Sequence, residues 1–334
     1  MKPIPIQPKL ISRFSGFRRS PRLVRGVDLA GQWAAPIAVC VVLVIAALIA
    51  PAFYNPINLR TVAIQIAVLG IVAIGQTLVL LCRSIDLSVS AVLALGAVIV
   101  VQTEAGNSIF VSLIQAFAVA AIVGLANGFL IAKRQVPPFV ASFGMLVFIQ
   151  GARLAYTKGQ ASGTVPELLR AISFKPIGPI PAALLVWLIV SAIAIFFLRF
   201  TRYGRWIYAV GGNPAAARYA GVRIDLVLIA AHIICSMLAL LGGLVLSGYI
   251  GYVDLRLGAE YNLNSIAAAI VGGTTFTGGR GNLFGTAAGV ALLILLLNLV
   301  VVLGLPIHWQ YAMQGLVLVL ATALQGFRQF LLSR

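Results

Sequence analysis

Acidic residues are rare in this chain, seven among 334, so an acid beside an apolar run is the first place to look for chemistry. Asp86 is the foremost case. It lies in Gly75–Leu95, GQTLVLLCRSIDLSVSAVLAL. An ionisable side chain at membrane depth is costly and marks function by default. Asp86 also directly precedes the apolar run at 87–103, where a carboxylate caps orphan N–H groups and meets the positive end of the helix dipole. The cap is the preferred reading. His232 and His308 stand alone and read as packed or interfacial residues. The sequence offers no legible Ser/His/Asp arrangement, metal-ligand spacing or paired carboxylates. Catalytic residues, a metal and a cofactor are therefore not expected. Cys40, Cys82 and Cys235 lie inside or beside apolar runs and read as small buried hydrophobes.

Two further stretches carry a pattern. Thr201–Asp225 reads TRYGRWIYAVGGNPAAARYAGVRID. Asn213 suits an N-cap, Pro214 the first helical position, and Gly221 a left-handed helix end. A short helix of about two turns is expected here. With flexible Gly211–Gly212 before it, and with Ala217 and Arg218 on it, it would serve as a docking knob for a partner's groove. The plain alternative is a loop helix whose arginines rest on lipid headgroups. Gly272–Gly289, GGTTFTGGRGNLFGTAAG, lacks the Gly-Lys-Ser/Thr end of a phosphate loop and follows no strand, so nucleotide binding is rejected. Gly281, Gly285 and Gly289 lie four apart, which predicts one helical face packed closely against a neighbour. Gly124 and Gly128 predict the same.

The elements that hold these residues follow from composition. Hydrophobic residues make up 61% of the chain and charged ones 9%, against roughly a quarter charged in a soluble domain. Lipid is the solvent that such a surface requires, and long apolar runs without strand alternation select helices over a barrel. The fold class is thus an all-α integral membrane protein. About ten transmembrane helices are expected, at 33–53, 62–82, 87–103, 109–132, 137–157, 181–199, 226–248, 263–273, 283–303 and 307–327. The eighth is too short to span and breaks into glycines, as helices do where they line a cavity. Residues 1–32 would form a basic tail, 33–327 one transmembrane domain with the segment 201–225 exposed, and 328–334 a second tail.

The net charge of +17 reads as the loop bias of a membrane protein, not as nucleic-acid binding. With the N-terminus inside and alternating spans, 18 of the 24 Lys and Arg fall in inside segments, so both termini are expected in the cytoplasm. Spans two to five and seven to ten would then form two four-helix sets of opposite orientation, an inverted repeat.

At these motifs the chain resembles the permease subunits of ribose-type ABC importers, over about residues 60–325. The residues that carry the resemblance are Gly75–Gln76–Thr77, Ile85–Asp86–Leu87–Ser88–Val89, Asn127–Gly128, Lys133, Pro137–Pro138–Phe139, Tyr203–Gly204–Arg205, Ala209–Val210–Gly211–Gly212–Asn213, Ala216–Ala217–Arg218, Gly221, Gly272–Gly273–Thr274 and Gly278–Gly279–Arg280–Gly281. The resemblance implies a fold like that of the cobalamin permease. It also implies a second permease copy or paralogue, cytoplasmic ATP-binding subunits, and a periplasmic binding protein that delivers a monosaccharide or polyol across the bacterial inner membrane. Residues 211–221 would be the coupling helix. Asp86, Ser88, Gln76, Asn127 and Thr274 are candidates for structure or for the translocation path. The chain departs from the family's usual pattern at Arg83 and Ser84, where two glycines are common, and at Ser90. The alternative function is an ATP-independent carrier of a neutral solute. An ion-coupled carrier calls for intramembrane acids, and Asp86 is the sole good candidate.

Overall fold

The structure is a computed structural model describing residues 21–333 apart from 105, 107, 161, 179 and 255, and backbone alone at 21–32, 104, 162, 324, 325 and 327–333. Expectations for residues 1–20 of the basic tail and for Arg334 lie outside the described residues. The chain runs through α1 (Pro21–Ile49), α2 (Pro56–Leu81), α3 (Val89–Glu104), α4 (Ile109–Ala132), α5 (Pro138–Thr157), α6 (Glu167–Phe174), α7 (Ala182–Phe200), α8 (Arg202–Gly212), α9 (Pro214–Tyr219), α10 (Ile224–Ile250), α11 (Tyr261–Val271), α12 (Leu283–Val302) and α13 (Ile307–Ser333). Among the described residues, six helices, α2, α4, α5, α7, α10 and α12, are long and apolar enough to cross a membrane, while the Trp33–Ile49 part of α1, α3 and α11 are apolar but shorter.

Several boundaries differ from expectation. Helix α1 begins at Pro21, so the second part of the expected tail continues the helix, and α13 runs past 327 to Ser333. The all-α expectation also omits two small antiparallel pairs. Strand β1 (Ser162–Thr164) pairs with β4 (Tyr252–Val253), and β2 (Pro176–Ile177) pairs with β3 (Ile180–Pro181). Helix starts follow local chemistry. Asn55 accepts from the Ile57 N–H ahead of Pro56, and Pro137–Pro138 opens α5. A proline at the first helical position loses no bond the helix would have made.

Burial separates centre from rim. The apolar stretch of α2 is 89% buried and that of α7 11% buried. A helix apolar on all sides belongs inside other helices, and α2 is buried without break from Ala67 to Leu81. The packing pairs are exchanged between the two halves. Helix α10 packs on α3 and α4, and α2 packs on α11 and α12, while α3 with α4 and α5 matches α11 with α12 and α13. Small residues make these contacts close. A Cβ at Gly128 would stand 2.6 Å from the Ile229 Cα, and one at Gly289 would stand 2.0 Å from the Ala268 carbonyl. Gly285 meets Gly272 in the same seam. Gly281 is not on that face: it precedes α12, in the loop, with φ +142°.

Candidate functional site at the junction of three turns

Three connections meet at the end of the bundle that carries α8 and α9. They are the α2–α3 turn (82–88), the α8–α9 junction (211–214) and the α11–α12 loop (272–282). Each is short and rich in glycine or polar residues, and each leaves helix-terminal carbonyls to be satisfied by its neighbours. The Leu81 carbonyl accepts from the Gly279 N–H at 2.9 Å. Gly211 lies so close that a Cβ there would be 1.7 Å from the same oxygen. The Tyr208 hydroxyl donates to the Gly281 carbonyl at 3.0 Å. Burial pushes that hydroxyl above its ordinary pKa, so it stays a neutral donor.

Under the turn lies a closed polar cluster. Asp86 Oδ1 accepts from the Ser88 N–H at 2.8 Å and from the Ser88 hydroxyl at 2.5 Å. Its Oδ2 is 3.2 Å from His232 Nδ1, and His232 Nε2 is 2.9 Å from Ser84 Oγ. Asn127 Nδ2 donates to Ser88 Oγ at 2.9 Å. Ser84, Asp86, Ser88, Asn127 and His232 are all at most 1% exposed. Ser88, not Asp86, stands directly before α3 at Val89, with its carbonyl accepting from Val92 N–H. The expected cap is therefore corrected: Asp86 sits two residues earlier, where it orders Ser88 and reaches across to α10. His232 is likewise not isolated. The fold assembles a Ser–His–Asp connection that the sequence hides, because His232 is 146 residues from Asp86. Ser84 is enclosed, with its hydroxyl on His232. The cluster acts as a brace joining the α2–α3 turn to α4 and α10. The Asn127 side-chain oxygen is left without a hydrogen-bond partner; the rest of the cluster is paired, and buried polar groups paired in this way rigidify what they join.

The remaining path candidates are separate. Gln76 faces α10, where Cys235 Sγ is 4.0 Å from its Oε1. Its neighbour Thr77 pairs with Thr286 of α12 at 2.9 Å. Thr274 lies in the α11–α12 loop against Gly281. Asp86, Ser88, Gln76, Asn127 and Thr274 are each 0% exposed. In this conformation they form the interior of one chain.

The exposed helix has the anatomy read from its sequence. Asn213 Oδ1 accepts from the Ala216 N–H at 3.1 Å, Pro214 opens α9, and Gly221 is left-handed with φ +80°. Two residues are reassigned. Ala217 is 4% exposed and packs inward. Gly211 belongs to α8 and is wedged against Leu81, so it is a contact and not a swivel. The outward surface of this segment is Gly212, Asn213, Ala215, Ala216, Arg218, Tyr219, Ala220 and Gly221, with Tyr219 93% exposed. The segment's far side is tied down by Lys133 at the end of α4, 2.6 Å from Asp225 in the first turn of α10.

Residues 58–322 match the family described as branched-chain amino acid transport system / permease component. The chain belongs to that family. The ribose import permease protein of Escherichia coli is 34% identical over 88% of this chain and 93% of its own length. The galactose/methyl galactoside import permease protein of Haemophilus influenzae is 31% identical over 83% and 89%. The autoinducer 2 import system permease protein of an Enterobacter species is 34% identical over 85% and 83%. No solved structure matches the chain. Membership of a permease family and six long apolar helices make this a multi-pass inner-membrane protein of bacterial type.

Proposed function

We propose that the chain is the membrane-spanning subunit of an ATP-driven importer that carries a monosaccharide or related polyol into the cytoplasm. A separate ATP-binding subunit supplies the energy, and a periplasmic binding protein supplies the solute. The observation that carries this reading is the exposed, capped helix α9, presenting Arg218 and Tyr219 at the end of the bundle directly after the end of α8, which is seated on the turn that joins α2 to α3. The family description speaks of branched-chain amino acids, whereas the relatives named above are sugar or autoinducer permeases aligned over more than four-fifths of the chain. The relatives favour the neutral, hydroxyl-rich solute, as does the scarcity of acids in the spans.

On this reading ten helices cross or enter the membrane, both termini face the cytoplasm, and residues 211–221 form the coupling helix. The distribution of Lys and Arg supports that orientation. The exchanged packing of α2 and α10 supports an inverted repeat. Two permease chains, identical or paralogous, would enclose the path between them, and the chain itself would hold no ATPase site. Alternating access then proceeds by switching between two packings of the same helices.

The test is co-purification of the chain with the ATP-binding subunit encoded beside it, followed by ATPase measurement with the neighbouring binding protein and a panel of sugars beginning with ribose and galactose. Stimulation by one sugar supports the reading and names the solute. Purification without an ATP-binding subunit, with solute movement down an ion gradient, would replace it by the secondary-carrier reading. Arg218→Glu, on an exposed position, is expected to abolish stimulation with the fold intact.

A further inference from the structure

Arg83 departs from the ordinary use of its position. Its φ is +61°, a left-handed backbone that glycine adopts freely and a long, charged side chain does not. Such a conformation persists where the surroundings over-determine it. Here the surroundings are the end of α8. Arg83 Nε donates to the Gly211 carbonyl at 2.5 Å, and a terminal guanidinium nitrogen donates to the Gly212 carbonyl at 2.8 Å. These carbonyls are among the last of α8, where the helix dipole is negative and acceptors lack intrahelical partners. A guanidinium is the side chain whose donors span two adjacent acceptors from one rigid plane. Its stem is also accommodated: a Cβ on Gly278 would stand 2.4 Å from Arg83 Cγ.

The location gives this clamp a consequence. Gly212 is followed by Asn213, the cap of α9, and Ser84 with Asp86 follow Arg83 into the buried brace on α4 and α10. Among the described residues, the two bonds of Arg83 are the direct hydrogen bonds between the α2–α3 turn and the α8–α9 junction. The other contact there, Gly211 on Leu81, is bare backbone packing that transmits a push but not a pull.

We propose that Arg83 is a positioning residue for transport: it fastens the coupling segment to the α2–α3 turn, so that displacement of α9 in either direction moves the central helices. The proposal rests on the assignment of residues 211–221 as the coupling segment.

The experiment uses the chain assembled with its ATP-binding subunit and binding protein in proteoliposomes, and measures ATP hydrolysed per labelled sugar imported. The sugar is ribose, or galactose where the wild-type complex imports that instead. Arg83→Gly removes the donors and relieves the left-handed backbone, so the turn itself forms more readily. Arg83→Met keeps the stem and removes the donors. Each is expected to co-purify with the ATP-binding subunit at the wild-type ratio and to raise ATP consumed per sugar by about threefold or more, the worth of a hydrogen bond or two in an equilibrium. Arg83→Lys, which keeps a cation and one donor point, is expected to fall between them and wild type. If Arg83→Gly assembles poorly, Arg83→Met decides. A wild-type ratio of ATP to sugar in either assembled variant overturns the clamp and leaves the importer reading standing. A wild-type chain that binds no ATP-binding subunit overturns both.

Discussion

Replacing His232 by leucine tests whether the buried cluster is a brace held by the Asp86–His232 contact or a set of independent contacts. The substitution keeps most of the volume but removes the partner of Asp86 Oδ2 at 3.2 Å and of Ser84 Oγ at 2.9 Å, all three groups being at most 1% exposed. Removing one partner of a buried pair leaves an uncompensated charge, which costs about 3–5 kcal/mol. Asp86→Asn by itself keeps the shape and an acceptor for Ser88, and is expected to cost about 1 kcal/mol. The decisive variant is the double one. With a neutral amide in place of the Asp86 carboxylate, the leucine no longer faces a buried charge. The pair should then be more stable than His232→Leu alone, with a coupling of about 1–3 kcal/mol. The assay is thermal melting of the detergent-solubilised protein followed by size-exclusion recovery. His232→Leu is expected to lower the midpoint by at least about 4 °C, and Asp86→Asn to restore part of that loss. If the two substitutions simply add, or if Asp86→Asn deepens the loss, the carboxylate is not held by His232 and the brace is wrongly described.

Gly289→Val is expected to prevent stable assembly of the bundle, because its Cβ would meet the Ala268 carbonyl at 2.0 Å and backbone cannot yield as a side chain does; loss of monodisperse protein in detergent is the measure. Gly212→Ala, which meets nothing within 4 Å, is expected to leave yield and melting unchanged and so separates the two kinds of glycine. Asn213→Ala removes the cap of α9 and should cost about 1 kcal/mol locally, read as faster amide exchange at Ala216 and Ala217 with little change in global melting. Lys133→Met is expected to shift the midpoint by no more than the about 0.2–1 kcal/mol of a solvent-exposed pair.

The helical runs and the ends of α9 were legible because they rest on local signals. Apolar length sets the runs, and Asn213, Pro214 and Gly221 each act within a few residues of themselves. The glycine seam was half legible. Spacing predicted Gly285 and Gly289 correctly, but the same count of four carried Gly281 into a helix that starts two residues later, at Leu283. The site needed distances that sequence does not contain. His232 looked solitary because its partners are on another helix pair, and Ala217 and Gly211 looked like a docking face because nothing local says which side of a two-turn helix meets the bundle. Arg83 did carry a signal: an arginine stood where the resembling family has glycine. That signal pointed to the place without giving its bonds.

The exchange of partners between the two halves has a consequence for how the protein is made. Residue 232 leaves the ribosome 146 residues after residue 86, an interval of about 7–30 s at ordinary synthesis rates. Throughout it, the first half is already at the membrane with the bare glycine groove of α4 and the carboxylate of Asp86 awaiting α10. The helices of the first half, α3 and α4, therefore complete their packing only once α10 of the second half has been made.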